Sequence, residues 1–328
     1  MSWNESVASS SPLVKENLIK FISADRLNLY PDVNCIHLTQ ELAKYTGVDA
    51  KKILVFGGSD SSLEYISRTF FHHDEDFLIA APTYDNMRVY LESVGAKVRY
   101  SHVCGAAEPD FETFLGSIKE DTKGCYIVNP NNPTGTIWSP EQVKQVCRLR
   151  RSLLVVLDEA YIEFGGETAV SLLETEPNLV IARTFSKAFG LAGVRIGYIL
   201  ANDNILEPLK KVRIGKNINS LAQIAALSAL KDINHTKEYV RQTREGGHWL
   251  AEQLRALNYP VKETPANFIM VDVGDPDACV QRLAEQGMFV RNRKATKGFE
   301  TYIRVTTGPQ TYMEKFLESW NSCIGPRS

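Results

Sequence analysis

The sequence predicts an α/β protein, with a mostly parallel sheet covered by helices on both faces and a smaller α+β unit after it. Three observations predict this. Short, fully apolar runs alternate with helix-like segments through the first two thirds of the 328 residues. Such alternation builds parallel sheets, whose strands are apolar throughout because both faces are covered. Polar motifs follow several of these runs, and ligands in such sheets bind beyond the carboxyl ends of the strands. After about residue 220 the pattern changes to a long helical stretch and a few isolated strands. The expected division is a large domain over 26–220 and a small one from 1–25 with 221–328.

Along the chain, a helix is expected over about Ser11–Ala24, packed near the smaller unit. Ile53–Phe56, Phe77–Ala80, Cys125–Val128, Leu153–Leu157 and Leu179–Ala182 read as buried strands. Gly57-Gly58-Ser59-Asp60 follows the first strand and opens a helix, so its N–H groups could hold an anion. A plain tight turn has the same look. Pro82-Thr83-Tyr84 ends the next strand, and Tyr84 either stacks on a planar ring or packs in the core. In Asn129-Pro-Asn-Asn-Pro-Thr-Gly135 two prolines fix the loop. Asn132 there either aims its amide at a ring oxygen or belongs to a simple Asx/Pro turn.

Pro140–Arg150 reads as an amphipathic helix, with Val143, Val146 and Leu149 on one side. Asp158 then ends a fully apolar strand. A buried carboxylate is costly unless paired. Facing a pyridine nitrogen, it would keep that nitrogen protonated; a structural ion pair is the other reading. Tyr161, three residues on, could reach a ring hydroxyl. The stretch Arg183–Arg195 sets Lys187 beside Thr184, Ser186 and Arg195. A lysine that condenses with a phosphorylated aldehyde needs such company, because hydroxyls and a bidentate guanidinium hold phosphate. In the C-terminal part, a helical pattern from Leu221 to about Leu257 leads to a strand at Asn267–Val273. A helix follows, then strands at Met288–Arg291 and Tyr302–Thr306.

The composition, 44% hydrophobic and 23% charged with a net charge of -2, is that of a globular protein. It carries no electrostatic footprint for nucleic acid or an anionic membrane. Cys35, Cys104, Cys125, Cys147, Cys279 and Cys323 form no CxxC pair. They read as reduced thiols of a cytoplasmic protein. His72-His73 lacks the spacing of a metal site. No apolar run approaches the roughly 20 residues needed to span a bilayer.

Trp3-Asn4-Glu5, Tyr30-Pro31-Asp32, Gly58-Ser59-Asp60, Pro82-Thr83-Tyr84 and Asn129–Gly135 follow one another in a fixed order. Asp158-Glu-Ala-Tyr161, Arg183–Lys187 with Arg195, Ala266-Asn267-Phe268 and Tyr302-Ile-Arg304 complete the series. This ordered set resembles fold type I enzymes that use pyridoxal 5'-phosphate, specifically the histidinol-phosphate aminotransferase subgroup, from Trp3 to about Gly308.

The resemblance implies a role for each position. Lys187 would carry the cofactor and later move the proton between substrate Cα and cofactor C4'. Asp158 would pair with the pyridinium, Tyr161 and Asn132 would contact the ring oxygen, and Tyr84 would stack on the ring. Ser59, Asp60 (through its N–H), Thr184, Ser186 and Arg195 would hold the phosphate. Tyr30 would reach that phosphate from a second subunit, which implies a homodimer. Arg304 would take the substrate α-carboxylate and Arg291 a distal phosphate, with Asn4 and Asn267 also at the substrate.

The sequence departs from the subgroup at its rim. The chain begins almost at Asn4-Glu5, so the usual N-terminal arm is expected to be short or absent. Ser6-Val7, Ser61 and Gly215–Asn219 replace residues usual in the family. The leading expectation is an aminotransferase using glutamate and a keto or aldehyde acceptor with a phosphate or other polar tail. The alternative is a decarboxylase of a phosphorylated amino acid such as serine or threonine phosphate. A non-catalytic regulator would need a lost lysine or a fused DNA-binding domain, and the sequence shows neither.

Overall fold

The computed structural model of the chain describes residues 1–101 and 108–327; Cys104 therefore lies outside the described residues. The first seven strands are β1 (Ile53–Phe56), β2 (Asp76–Ala80), β3 (Lys97–Ser101), β4 (Thr122–Val128), β5 (Leu154–Asp158), β6 (Leu179–Thr184) and β7 (Gly197–Ala201). They form one sheet in the order β1-β7-β6-β5-β4-β2-β3. In it only β7 runs against its neighbours, among the described residues.

The helices before residue 220 are α1 (Pro12–Ser23), α2 (Ile36–Thr46), α3 (Ser59–Phe70), α4 (Asn86–Ser93), α5 (Phe111–Ser117), α6 (Pro140–Leu149) and α7 (Asp203–Val212). Those after it are α8 (Ser220–Lys231), α9 (Ile233–Ala256), α10 (Pro276–Glu285) and α11 (Gln310–Cys323). Strand alternation divides the side chains between two cores. Val155, Leu157 and Ile181 pack with Leu42 of α2, Phe114 of α5, Val143 of α6 and Ala225 of α8. Val156, Val180 and Ala182 pack on the opposite face with Ile66 of α3, Leu91 of α4 and Leu206 of α7. Burial on both faces explains why these strands read as unbroken apolar runs.

The sequence reading left out β3 and β7. The edge strand β3 carries Lys97 and Arg99 and is half-exposed, which leaves no apolar run to detect. β7 is fully buried but short and begins at a glycine.

A second sheet has the antiparallel order β10-β11-β9-β8, from β8 (Val261–Glu263), β9 (Phe268–Asp272), β10 (Arg291–Asn292) and β11 (Tyr302–Thr306). Ile269, Val271, Ile303 and Val305 join Leu250 of α9, Leu283 of α10 and Phe316 and Trp320 of α11 in a separate core. The strand expected from Met288 begins only at Arg291. Gly287, at φ +74, ends α10 in a left-handed turn, and the Met288 N–H is spent on the Leu283 carbonyl.

The helical stretch after Leu221 is two helices, broken at Asp232, whose carboxylate accepts a hydrogen bond from the Ser11 hydroxyl. The N-terminal helix is where it was expected along the chain, and it packs on α8 of the stretch after residue 220 while also reaching the large sheet's core. α1 packs on α8, with the Asn17 amide donating to Ser228 Oγ at 2.9 Å, and Val14 enters the large sheet's core. The alanines of α8 that face the large sheet draw α1 there with them. No described helix is long and apolar enough to cross a membrane.

Candidate active site

β1, β2, β4, β5 and β6 point the same way, so the motifs after them emerge on one rim. Asp158 is 2% exposed and accepts hydrogen bonds from Tyr126 Oη at 2.7 Å and the Ala160 N–H at 3.0 Å. Burial pushes its carboxyl up to about 6, against the pull of the Tyr126 bond. The structural ion pair falls instead to its neighbour. Buried Glu159 accepts from Arg183 Nε at 2.9 Å and Nη2 at 2.8 Å, which ties the end of β6 to the residue following β5. Asp158 is left with two neutral donors.

A second corner is built for phosphate. Gly58, at φ +98 and ψ 164, turns the chain from β1 into α3 in a conformation open essentially only to glycine. A Cβ there would meet Arg195 Nη2 at 2.6 Å. Arg195 Nη1 donates to Ser186 Oγ at 3.4 Å, and Thr184 Oγ1 donates to the same oxygen at 2.9 Å. Asp60 turns its carboxylate to Tyr84 Oη at 2.9 Å and Asn86 Nδ2 at 3.2 Å. Its N–H, like that of Ser59, stays in the first turn of α3, where the helix itself offers no acceptor. Tyr84 also packs against the core on the α3 and α4 face.

Lys187 Nζ lies 5.8 Å from the centre of the Tyr161 ring and donates to the Trp3 carbonyl at 2.9 Å. Tyr161 Oη accepts from Asn4 Nδ2 at 3.0 Å and Asn132 Nδ2 at 3.2 Å. Asn132 Oδ1 in turn accepts from Arg304 Nη1 at 2.6 Å, and Arg304 Nη2 donates to the Ser2 carbonyl at 2.7 Å. Asn267 Nδ2 donates to the Asn4 carbonyl at 3.0 Å. Asn4 is fully buried at a left-handed φ of +55, so this wall is assembled across the whole length of the chain. Arg304 is buried, its Nε–H has no partner, and desolvation pulls its pKa down.

Two expected residues do not join this cluster. Arg291 is exposed, though it lies opposite Arg304 in the β10–β11 register. Tyr30 is 79% exposed, with the Lys216 ammonium 4.3 Å from its ring centre. Two residues were missed. Tyr126 sits mid-strand two positions before Val128, which pairs with Asp158, so its hydroxyl reaches the same face. A lone hydroxyl in an apolar strand was the available signal. Arg293 is the other, buried at its Nε without a partner.

The arrangement fits pyridoxal 5'-phosphate: a buried acid that accepts only from neutral donors, a phosphate corner whose turn at Gly58 needs glycine, and a lysine beside the Tyr161 ring. The fold and this site define a transaminase that uses that cofactor. The chain belongs to the class I and II aminotransferases, whose family model matches residues 3–319. Within that family its relatives place it in the histidinol-phosphate aminotransferase subgroup. It is 32% identical to histidinol-phosphate aminotransferase of Desulfotalea psychrophila over 99% of this chain and 87% of that protein. It is 33% identical to the dihydroxyacetone phosphate transaminase of Campylobacter jejuni over 89% of this chain and 81% of that one. The structure of histidinol-phosphate aminotransferase from Sinorhizobium meliloti with pyridoxal-5'-phosphate superposes with a TM-score of 0.91 at 26% identity, covering 98% and 89% of the two chains.

Proposed function

We propose that this transaminase moves an amino group between glutamate and a keto or aldehyde acceptor that carries a phosphate or similar polar tail. The observation that carries the reading is Arg304. Its guanidinium is buried and held by Asn132, yet keeps an unpaired Nε–H facing no carboxylate partner, as a clamp for a substrate anion would. The names of the relatives from Desulfotalea and Campylobacter both specify phosphorylated compounds, which supports a phosphate on the acceptor.

Bound pyridoxal phosphate supplies an electron sink that weakens the bonds at substrate Cα. Asp158 would hold the proton on the ring nitrogen. Tyr161 and Asn132 would orient the ring oxygen, and Tyr84 would stack on the ring. Ser59, the Asp60 N–H, Thr184, Ser186 and Arg195 would anchor the phosphate. Lys187 would bind the cofactor and move the proton at substrate Cα, while Asn4 and Asn267 would line the substrate side and Arg291 would meet the distal anion.

The chain is proposed to act as a homodimer of the cytoplasm. Leu27, Leu29, Tyr30, Val33 and Ile36 form an exposed apolar segment that a second copy would cover, with Tyr30 reaching the other subunit's phosphate. The described cysteines are free thiols, which agrees with a reducing compartment. The separate core of the second sheet, built from residues between Leu250 and Trp320, supports a small domain within the proposed 221–328, set against a large one over 26–220. Val14 and α8 extend the contact between them.

The test is the visible spectrum of the holoenzyme on adding L-glutamate without a keto acid. The cofactor band should convert to the amine form, and a phosphorylated keto acceptor should restore it. Lys187→Ala should keep the far-ultraviolet circular dichroism but lose the band of the protein-linked chromophore. Silence with glutamate, together with carbon dioxide release from phosphoserine or phosphothreonine, would overturn the reading in favour of a decarboxylase.

A further inference from the structure

The ladder between β5 and β6 stops just short of the residues assigned to the cofactor. Its last rungs are the pairing of Asp158 with Ala182 and the bond from the Glu159 N–H to the Ala182 carbonyl at 2.9 Å. Beyond them the two chains part, with Tyr161 on one and Thr184, Ser186 and Lys187 on the other. Side chains make the next link. Arg183 gives both Nε and Nη2 to Glu159 Oε2, at 2.9 and 2.8 Å. Thr168 Oγ1 accepts from Arg183 Nη2 at 2.7 Å and donates to Glu159 Oε2 at 2.9 Å, while the Ala169 N–H donates to Oε1 at 2.8 Å.

Alternation along the strands puts this pair on the face of the sheet opposite Asp158 and Thr184. Glu159 and Arg183 are both buried, so water screens neither. A second strut runs beside them: the Tyr45 hydroxyl donates to Glu163 at 3.3 Å, and the Tyr45 ring meets Phe189 edge-on at 5.8 Å. Phe185 packs on Phe189 with 4.7 Å between ring centres, so Lys187 rides on a turn whose two phenylalanines are anchored in the core. A buried ion pair is weak evidence for stability, because apolar residues in its place often serve as well or better. What a two-bond guanidinium contact adds is direction as well as distance.

We propose that Glu159 and Arg183 are a positioning pair for amino transfer: from the covered face of the sheet they fix how Asp158 and Lys187 stand to one another, so that one cofactor meets both. This rests on the roles given above to Asp158 and Lys187. Neither member of the pair touches substrate or cofactor; each acts through its neighbour in the chain, Glu159 through Asp158 and Arg183 through the turn from Thr184 to Lys187. A displacement of about 1 Å between groups that must act together can cost on the order of 100-fold in rate. The β5–β6 ladder does not set that distance, because it ends before Lys187.

The test compares the wild-type holoenzyme with a double variant, Glu159→Gln with Arg183→Met, and with Arg183→Lys. The double variant removes both charges together, and Glu163, already pushed up to about 7 by burial, can take a proton. No buried charge is orphaned, so its cofactor-free denaturation midpoint should stay close to that of wild type. At saturating pyridoxal phosphate its limiting rate of converting the cofactor band with L-glutamate should nevertheless fall about 100-fold, with the half-saturating glutamate concentration changed about threefold or less. The pH midpoint of the protein-linked chromophore should move, and titration of the cofactor-free protein should show weaker binding of pyridoxal phosphate. Arg183→Lys keeps the charge without the fork and should recover part of the rate; it carries the test alone should the double variant not fold. A folded variant with the wild-type limiting rate and chromophore midpoint would overturn the positioning role, whatever its stability. So would a rate that excess cofactor restores in full. Retention of the chromophore band by Lys187→Ala would instead overturn the role of Lys187 on which the pair depends.

Discussion

Asp158 shows how one side chain is made costly so that a ligand can relieve it. Its carboxyl is pushed up to about 6 by burial, from an ordinary value of 3.8. Without cofactor, the folded chain therefore holds more protons than the unfolded chain across that interval. Stability contributed at low pH is lost as pH rises through this window, and the loss is complete above about 6. About two pKa units correspond to roughly 3 kcal/mol. Asparagine cannot ionise, so cofactor-free Asp158→Asn should be more stable than wild type near neutral pH by about 1–3 kcal/mol. The gap should narrow toward about pH 5, as denaturant melts at the two pH values will show. The same variant should bind pyridoxal phosphate far more weakly, because the pyridinium loses its counter-charge. A cofactor-free variant less stable than wild type at neutral pH would contradict the burial account. At this scale the chemistry was legible in the sequence, since an acid closing an apolar strand is visible without coordinates. What Asp158 touches was not.

The elements meet through close backbone contacts that periodicity does not announce. In α9, a Cβ at Gly246 would lie 2.1 Å from the Gly308 carbonyl and 2.8 Å from the Gln310 N–H, at the turn that leads into α11. Helix propensity favours Gly246→Ala by about 1 kcal/mol, but overpacking against backbone costs about 1–3 kcal/mol and often more. The expected result is a net loss of about 1–3 kcal/mol, measured by thermal or denaturant unfolding. Gly247→Ala meets the Thr307 methyl at 3.2 Å and should lose less, since a side chain can shift where a carbonyl cannot. Equal effects at the two glycines would remove the close-approach explanation. Strands buried on both faces were found from their apolar runs, and α6 from its amphipathic period; the Ser139 capping box that starts it was not read. The edge strands β3, β8 and β10 were missed or misplaced, because pairing on one side leaves them half-exposed and mixed in composition.

For the whole molecule the decisive prediction concerns the second subunit. If Tyr30 serves the other subunit's site, Lys187→Ala and Tyr30→Ala chains should each be impaired alone, yet mixing and reassembly should restore activity. One site of each mixed dimer would then combine an intact Lys187 with an intact Tyr30. Absence of rescue in verified mixed dimers would place Tyr30 in its own chain's service or in none. The sequence by itself determined the layered α/β architecture, the order of the motifs along one rim, the lysine and the acid. Those features are written in local periodicity and in residue types that few chemistries need together. Tertiary structure alone decided the partnerships. Tyr126 rather than a cation meets Asp158, and Glu159 rather than Asp158 takes Arg183. Asn4 and Arg304 close one wall from opposite ends of the chain, while half-buried Arg293 hides its Nε and Arg291 is exposed. Such pairings depend on how distant segments stack and which faces they lose to solvent, and local pattern does not encode that.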